Sequence, residues 1–417
     1  MRLSIGFGHT PQDLYIDDNL VMGILEPNKI ELGLTGVEEV KRSLQNPIGS
    51  PRLNQIVKKG EKVVIITSDI TRPMPSYKVI PAILDELYEI GVAKEDIAVV
   101  FALGSHRPHT EEEKIQLVGE RVYNEVSCID SDPNDYVRLG VTKRGTPVDI
   151  FRLVAEADKR ICIGNIEYHY FAGYSGGSKA IMPGVSTPAA IQANHRNMLH
   201  EDARAGILDG NPVREDLDEA IEHCPIDFIV NVVLDENKEI IYSVAGDYIK
   251  AHREGCKFLD RIYKKELKEK ADIVIVSQGG APKDINLYQT QKALENAKYA
   301  VRDGGIIILV GSCKEGMGNK SFESWMVEGE TPDELIDRIR KNFTLGGHKA
   351  AAIAGVLKKS RVFLVSELEP DFVRSIFLEP YSTVQEAYED ALKELGDVEK
   401  VLIMPYGGST LPVIKDE

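Results

Sequence analysis

RICIG (residues 160–164) runs directly into EYHYFAGYSGGSKAIMPGVSTPAAIQANH (residues 167–195). A short unbroken apolar run that ends in a glycine-dense turn is the pattern of a buried strand leaving a parallel sheet. Gly173, Gly176 and Gly177 lie within five residues of one another. Glycine permits left-handed turns and close backbone approach, so such density marks a place where the chain passes close to something. The turn carries Lys179 and is flanked by His169 and His195. One amine and two imidazoles on a constrained loop are ingredients for holding an anionic cofactor or a metal. Thr187 before Pro188 reads as a helix start, which puts His195 on a helix.

The same rhythm recurs outward from this segment. KVVIIT (62–67) ends in SDITRPMP, DIAVVFA (96–102) ends in LGSHRPHT, and IVIVS (273–277) ends in QGGAPKD. Between these runs lie helical patterns: residues 77–90 are amphipathic, Thr110 with Glu113 forms a capping box, and Pro332 opens a further helix. Strand and helix alternation predicts an α/β protein of two domains with mainly parallel sheets. Residues 1–270 are expected as an N-terminal cofactor-binding domain, possibly joined by the tail 405–417, and residues 271–404 as a second domain. Residues 1–35 read as an antiparallel start and 248–269 as one long helix. Ligands of open α/β sheets bind beyond the carboxyl ends of the strands. Four polar clusters fall at such ends, so the site is expected there, in the cleft between the domains.

Composition narrows the partners. A chain of 417 residues is too long for one ordinary core. A formal charge of −16 argues against nucleic acid and anionic membrane surfaces as partners, so any anion site must be built locally. Cys128, Cys162, Cys224, Cys256 and Cys313 are scattered and never form a CxxC pair, which suggests reduced thiols and a cytoplasmic location. No apolar run approaches membrane-spanning length.

Single residues have competing readings. Arg72 sits in a proline-stiffened turn with Asp69 and Thr71, which suits bidentate capture of a carboxylate or phosphate; the plain alternative is an Asp69–Arg72 pair. Lys283 beside Asp284 has the same logic. His106, nearest its strand end, is favoured over His109 as a functional group. Lys179 is either a surface lysine or an amine whose desolvation makes it a nucleophile. His195, judged alone, reads more readily as structural than as a ligand. His200, His223 and His252 lie in polar helical surroundings and are expected to be solvated. Neither HxH nor HExxH occurs, so a metal site made of protein ligands alone has little support.

Taken together, SDITRP, GSHRPHT, EYHYFAGYSGGSKAIMPG with its later Asn194-His195, and GGAPKDINLYQ resemble the nickel-dependent lactate racemase family, in the same order and over nearly the whole chain. The resemblance implies a racemase or epimerase that inverts C2 of a 2-hydroxy acid by reversible hydride transfer. It implies a nickel-pincer nucleotide, a pyridinium-3,5-bisthiocarboxylic acid mononucleotide carrying nickel, made by separate cofactor-synthesis enzymes. Carried over, Lys179 is the covalent tether and His195 the protein's nickel ligand. His106 and His169 are the paired acid–base groups, and Arg72 and Lys283 hold the substrate carboxylate. Asp69, Thr71, Gly176 and Gly177 support the cofactor.

The chain also departs from the pattern. Trp325 matches no secure position for the aromatic of a lactate pocket. His348 is either a polar or cationic wall, favouring a larger or dicarboxylic substrate such as malate, or an ordinary helix-start histidine. GSKAIMPG also resembles the lysine motif of pyridoxal-phosphate aminotransferases, but the arginine and the upstream signals of that motif are missing. A non-catalytic nickel- or nucleotide-binding homologue is the remaining alternative.

Overall fold

The computed structural model describes residues 1–341, 343–344 and 346–415. The chain forms two compact units, residues 30–261 and residues 1–29 with 262–417.

The unit 30–261 is built on a six-stranded sheet. Val63–Ser68 and Lys159–Asn165 lie side by side and parallel in its middle. From Val63–Ser68 the sheet continues through Ile97–Ala102 to Ser127–Asp130; from Lys159–Asn165 it continues through Phe228–Leu234 to the antiparallel edge Ile240–Gly246. The chain therefore moves one way across the sheet and later the other way, and the switch falls between Val63–Ser68 and Lys159–Asn165. Loops leaving the carboxyl ends of such a pair diverge and open a crevice. Every residue of 63–67 is buried, as the apolar run required, and the sheet is covered by Gly36–Gln45, Ser76–Glu89 and Glu111–Glu125. The Thr110 capping box forms as read.

The unit 1–29 with 262–417 holds an all-parallel six-stranded sheet in the order Glu379–Tyr381, Arg361–Val365, Val301–Val310, Ala271–Ser277, Val401–Met404, Val21–Ile24. Apolar clusters cover both of its faces, which explains strands as uniformly apolar as IVIVS.

The partition of the chain differs from the one expected. Residues 1–29 belong with the C-terminal unit because Val21–Ile24 supplies the edge beside Val401–Met404. Within residues 1–35, only the hairpin Arg2–Ile5 with Gln12–Tyr15 is antiparallel. The tail stays in that same unit, where Leu411–Ile414 pairs with Lys264–Leu267; Asp416 and Glu417 lie outside the described residues. The expected helix 248–269 ends earlier: Lys250–Tyr263 is helical and the next four residues are that strand. Charge on KKEL hid a ladder whose partner lies far along the sequence. Trp325 is a core residue, packed on Gly347 and under Arg338 at 4.4 Å. His348 is buried, its Nδ1 accepts the Gly346 N–H at 3.0 Å, and burial followed by the Lys349 charge pushes it down to about 3. It brings no positive charge, so the cationic-wall reading fails.

Candidate active site

The loops after Val63–Ser68, Ile97–Ala102 and Lys159–Asn165 carry most of the expected residues to the switch point. Asp69 follows the first strand and is almost wholly buried, 3% exposed. His106 Nδ1 lies 2.7 Å from Asp69 Oδ2, and the Thr71 hydroxyl donates to the same carboxylate at 3.0 Å. Burial alone would raise the Asp69 carboxyl; His106, Thr71 and Arg72 outweigh it and hold the group below the usual carboxylate range. A carboxylate accepts only, so the proton between them rests on His106 Nδ1, and in the neutral ring the lone pair is on Nε2. Asp69 thus pairs with His106 and not with Arg72. The Arg72 side chain is exposed and makes no ion pair with a described residue.

The glycine loop is shaped from behind. Arg214, on the helix Pro212–His223, is fully buried. Its guanidinium donates to the carbonyls of Ala172 and Gly176 at 3.3 and 3.5 Å, to that of Tyr174, and to Ser178 Oγ at 3.1 Å. Ser178 in turn donates to Asp218 at 2.6 Å, and Arg253 holds the other oxygen of Asp218 at 2.8 Å. One planar cation therefore satisfies a row of inward-facing carbonyls, a geometry that lysine cannot copy. Gly173, Gly176 and Gly177 all have positive φ, at 77°, 77° and 60°. A Cβ on Gly173 would stand 2.0 Å from the Ile207 carbonyl oxygen, and one on Gly176 would stand 2.7 Å from Asn231 Oδ1. Gly177 donates its N–H to Asn231 at 2.9 Å. The structure therefore turns Gly176 and Gly177 toward the loop's own packing, where their backbone is already occupied by protein.

On the front of this loop one ring gathers three of the expected groups. Phe171 meets His169 edge-on at 4.5 Å and 83°, and His195 at 4.8 Å and 67°. Lys179 Nζ lies 5.9 Å from the centre of the same ring. The sequence reading passed over Phe171; its place two residues after His169 in the loop was the available signal. Lys179 keeps partial exposure, yet its amine is held well below its ordinary value, by burial first and then by Arg214 and Arg72. His169 is likewise pushed down by burial and by the charges of Lys179 and Arg72. Its Nδ1 accepts the Ala172 N–H at 3.2 Å, so in the neutral ring Nε2 carries the proton. His195 is 9% exposed, with Nδ1 3.1 Å from Asn194 Oδ1. The Asn194 amide nitrogen donates to Asp216 and to the Val213 carbonyl at 2.8 and 3.2 Å. That fixes the amide oxygen toward the imidazole and puts a proton on His195 Nδ1.

Asp69, Thr71, Arg72, His106, His169, Lys179 and His195 all belong to the unit 30–261, whereas Lys283 belongs to the other unit. Lys283 is exposed on its turn, and the neighbouring Asp284 accepts the backbone N–H groups of Gly8 and Ser312 at 2.7 and 2.9 Å instead of pairing with it. His200 is exposed as expected and His223 is half-buried. His252 is not solvated: it is fully buried, with Nε2 2.7 Å from the Ser175 carbonyl oxygen behind the glycine loop. Its polar neighbours along the helix masked an inward-facing position.

No three His, Cys, Asp or Glu side chains gather as a metal cage among the described residues. A metal here would draw most of its ligands from a bound organic group and one imidazole from the protein. The His195 imidazole, with Nδ1 turned to Asn194, and the Lys179 amine, held well below its ordinary value by burial, are suited to a metal bond and an acyl-type linkage respectively, so these residues fit the group that the resemblance implies.

Sequence models of the lactate racemase N-terminal and C-terminal domains match residues 7–206 and 267–412. The chain belongs to the lactate racemase family. The lactate racemase of Thermoanaerobacterium thermosaccharolyticum is 33% identical over 98% of this chain and 99% of its own length. That of Lactiplantibacillus plantarum is 35% identical over 90% of each chain. The structure of the Thermoanaerobacterium lactate racemase apoprotein superposes with a TM-score of 0.91 at 32% identity, covering 99% of this chain and all of that one. A Thermotoga maritima protein of 20% identity shares the fold, with a TM-score of 0.67 over 92% of this chain. As a member of the lactate racemase family, the chain is an isomerase of the racemase type. No helix among the described residues is long and apolar enough to cross a membrane.

Proposed function

We propose that this protein interconverts the enantiomers, or C2 epimers, of a short 2-hydroxy acid such as lactate or malate, with a nickel-pincer nucleotide carried on Lys179. The observation that supports this most directly is the contrast between two imidazoles. His106 is held by Asp69 with Nε2 unprotonated, and His169 is held by Ala172 with Nε2 protonated. Two imidazoles that start with opposite proton inventories suit taking a hydroxyl proton and returning one. Arg72 offers an unpaired guanidinium for the substrate carboxylate, and fixing that carboxylate sets C2 and its hydroxyl relative to the two rings.

Lys179 would hold the cofactor covalently, and His195 Nε2 would add the protein's ligand to nickel. When bound, that cofactor supplies the reversible acceptor for the C2 hydride. The chain's own residues orient the acid, hold its carboxylate and move the hydroxyl proton at Nε2 of His106 and His169. Maturation requires enzymes that make and deliver the cofactor. The five cysteines are free thiols, four of them buried, which supports a reducing cytoplasmic setting.

The decisive experiment co-expresses the chain with cofactor-making enzymes and incubates it with one enantiomer of lactate or malate. Chiral chromatography is expected to show the mirror-image acid. A protein that carries nickel and a mass increase on Lys179 yet inverts none of a broad panel of 2-hydroxy acids would refute the reading. Asp69→Asn gives a finer check. It removes the acceptor that fixes the His106 tautomer, and kcat is expected to fall about 100-fold or more with a small change in KM. The Asp69 carboxyl is held below its ordinary value, so its stabilising effect is present above about pH 4, the unfolded value. It is lost as pH falls through the lower folded value, and the Tm gap between wild type and D69N should close in that acid window.

A further inference from the structure

We propose that His109 is the positioning residue of this site: a buried imidazole that clamps the Asp69–Arg72 turn to the end of a neighbouring strand. The proposal rests on the racemase reading for what the turn does, but the clamp itself is read from geometry. The His109 side chain is 1% exposed. Its Nε2 accepts the Ile70 backbone N–H at 3.0 Å, and its Nδ1 lies 2.6 Å from Asp130 Oδ1. The His109 backbone N–H donates to Asp130 Oδ2 at 3.1 Å, and Lys114 reaches the same oxygen at 3.3 Å. The ring packs edge-on against Phe101 at 5.1 Å.

Each contact assigns a proton. An N–H donor at Nε2 requires a lone pair there, and a carboxylate at Nδ1 requires a proton there, so the ring is the Nδ1–H tautomer. Asp130 ends the strand Ser127–Asp130, which is already fixed in the sheet. The imidazole is thus a rigid strut from that strand to the amide of Ile70. Ile70 stands between Asp69, which orients His106, and Thr71 and Arg72. Two adjacent links, Asp69 to His106 and Ile70 to His109, fasten the first loop to the second. The first is part of the reacting constellation. The second touches no reacting group and works only by fixing where that constellation stands. Displacements of about 1 Å in a positioned group can cost about 100-fold in rate, so a strut of this kind has measurable consequences.

The test compares two shape mimics in the full-length, cofactor-loaded protein. Asparagine places its amide where Nδ1 was, so His109→Asn keeps the Asp130 contact and drops the Ile70 bond. Glutamine reaches the Nε2 position, so His109→Gln offers Oε1 to the Ile70 N–H. H109N is expected to lower kcat/KM for the 2-hydroxy acid about tenfold or more, partly through a raised KM as Arg72 loses its place. H109Q is expected to recover most of that loss. Hydrogen–deuterium exchange over residues 66–74, which needs no activity, should speed up in H109N and stay near wild type in H109Q. Equal behaviour of the two variants in exchange, or wild-type exchange in H109N, would overturn the clamp. Wild-type protein that inverts no acid while the exchange pattern holds would refute the racemase reading and leave the clamp standing.

Discussion

Lys179→Met is expected to abolish cofactor attachment and racemase activity while making the cofactor-free protein more stable. The Lys179 amine is held well below its ordinary value because burial and the Arg214 and Arg72 charges disfavour its protonated form. The unfolded chain imposes no such penalty, so at neutral pH the proton binds more strongly to the unfolded state and pulls the equilibrium toward it. A thioether of similar length removes the penalty without opening a cavity. The gain is set at about 1 kcal/mol, allowing for the side chain's partial exposure, and thermal unfolding of the cofactor-free proteins measures it. The sign fixes the pH dependence: the gap between variant and wild type narrows as pH climbs toward about 10, where the unfolded lysine also loses its proton. Intact mass after co-expression reads the other half. A K179M protein that still gained the cofactor mass would remove the tether assignment, and one no more stable than wild type would remove the picture of a strained amine.

Arg214→Met is expected to be the most damaging single change in the unit 30–261. The guanidinium is fully buried and reaches the carbonyls of Ala172, Tyr174 and Gly176 as well as Ser178. Methionine withdraws the buried side-chain donor that these carbonyls share and leaves Asp218 with Arg253 as its remaining cation. Breaking a buried charged network from one side typically costs about 3–5 kcal/mol, enough to lower Tm markedly. Arg214→Lys should not restore it, since one ammonium cannot reach carbonyls spread along a loop. Circular dichroism melting of wild type, R214M and R214K decides this. A lysine variant as stable as wild type would show that charge, and not the planar fork, is what the loop requires.

Much of this was legible because the sheets are parallel and covered on both faces. KVVIIT, DIAVVFA, RICIG and IVIVS announce themselves as apolar runs, and the polar residues just past them fall at strand ends, where ligands of open α/β sheets bind. His106 was separable from His109 by its nearness to the strand end, and the structure gives the two different partners, Asp69 and Asp130. What local pattern cannot carry is long-range completion. Val21–Ile24 looks like part of an opening hairpin until Val401–Met404 needs a neighbour. His252 sits on a helix among charged residues and reads as solvent-facing, yet it points inward, as Arg214 does, toward carbonyls of the glycine loop. Phe171 was lost among the aromatics of YHYF, where its place two residues after His169 is a faint signal beside two tyrosines.

The Arg214 fork has one more consequence, and it concerns the order of assembly. The shape of the glycine turn is set by groups that belong to the chain itself, down to the space beside Gly173 and Gly176. Such a turn is complete as soon as the chain has folded, and little ordering remains for a visiting molecule to impose. On the proposed function, attaching the cofactor would then be an event on a finished receptor, separable in time from synthesis of the chain. On that reading, a pool of cofactor-free molecules would need no return to the unfolded state to be filled.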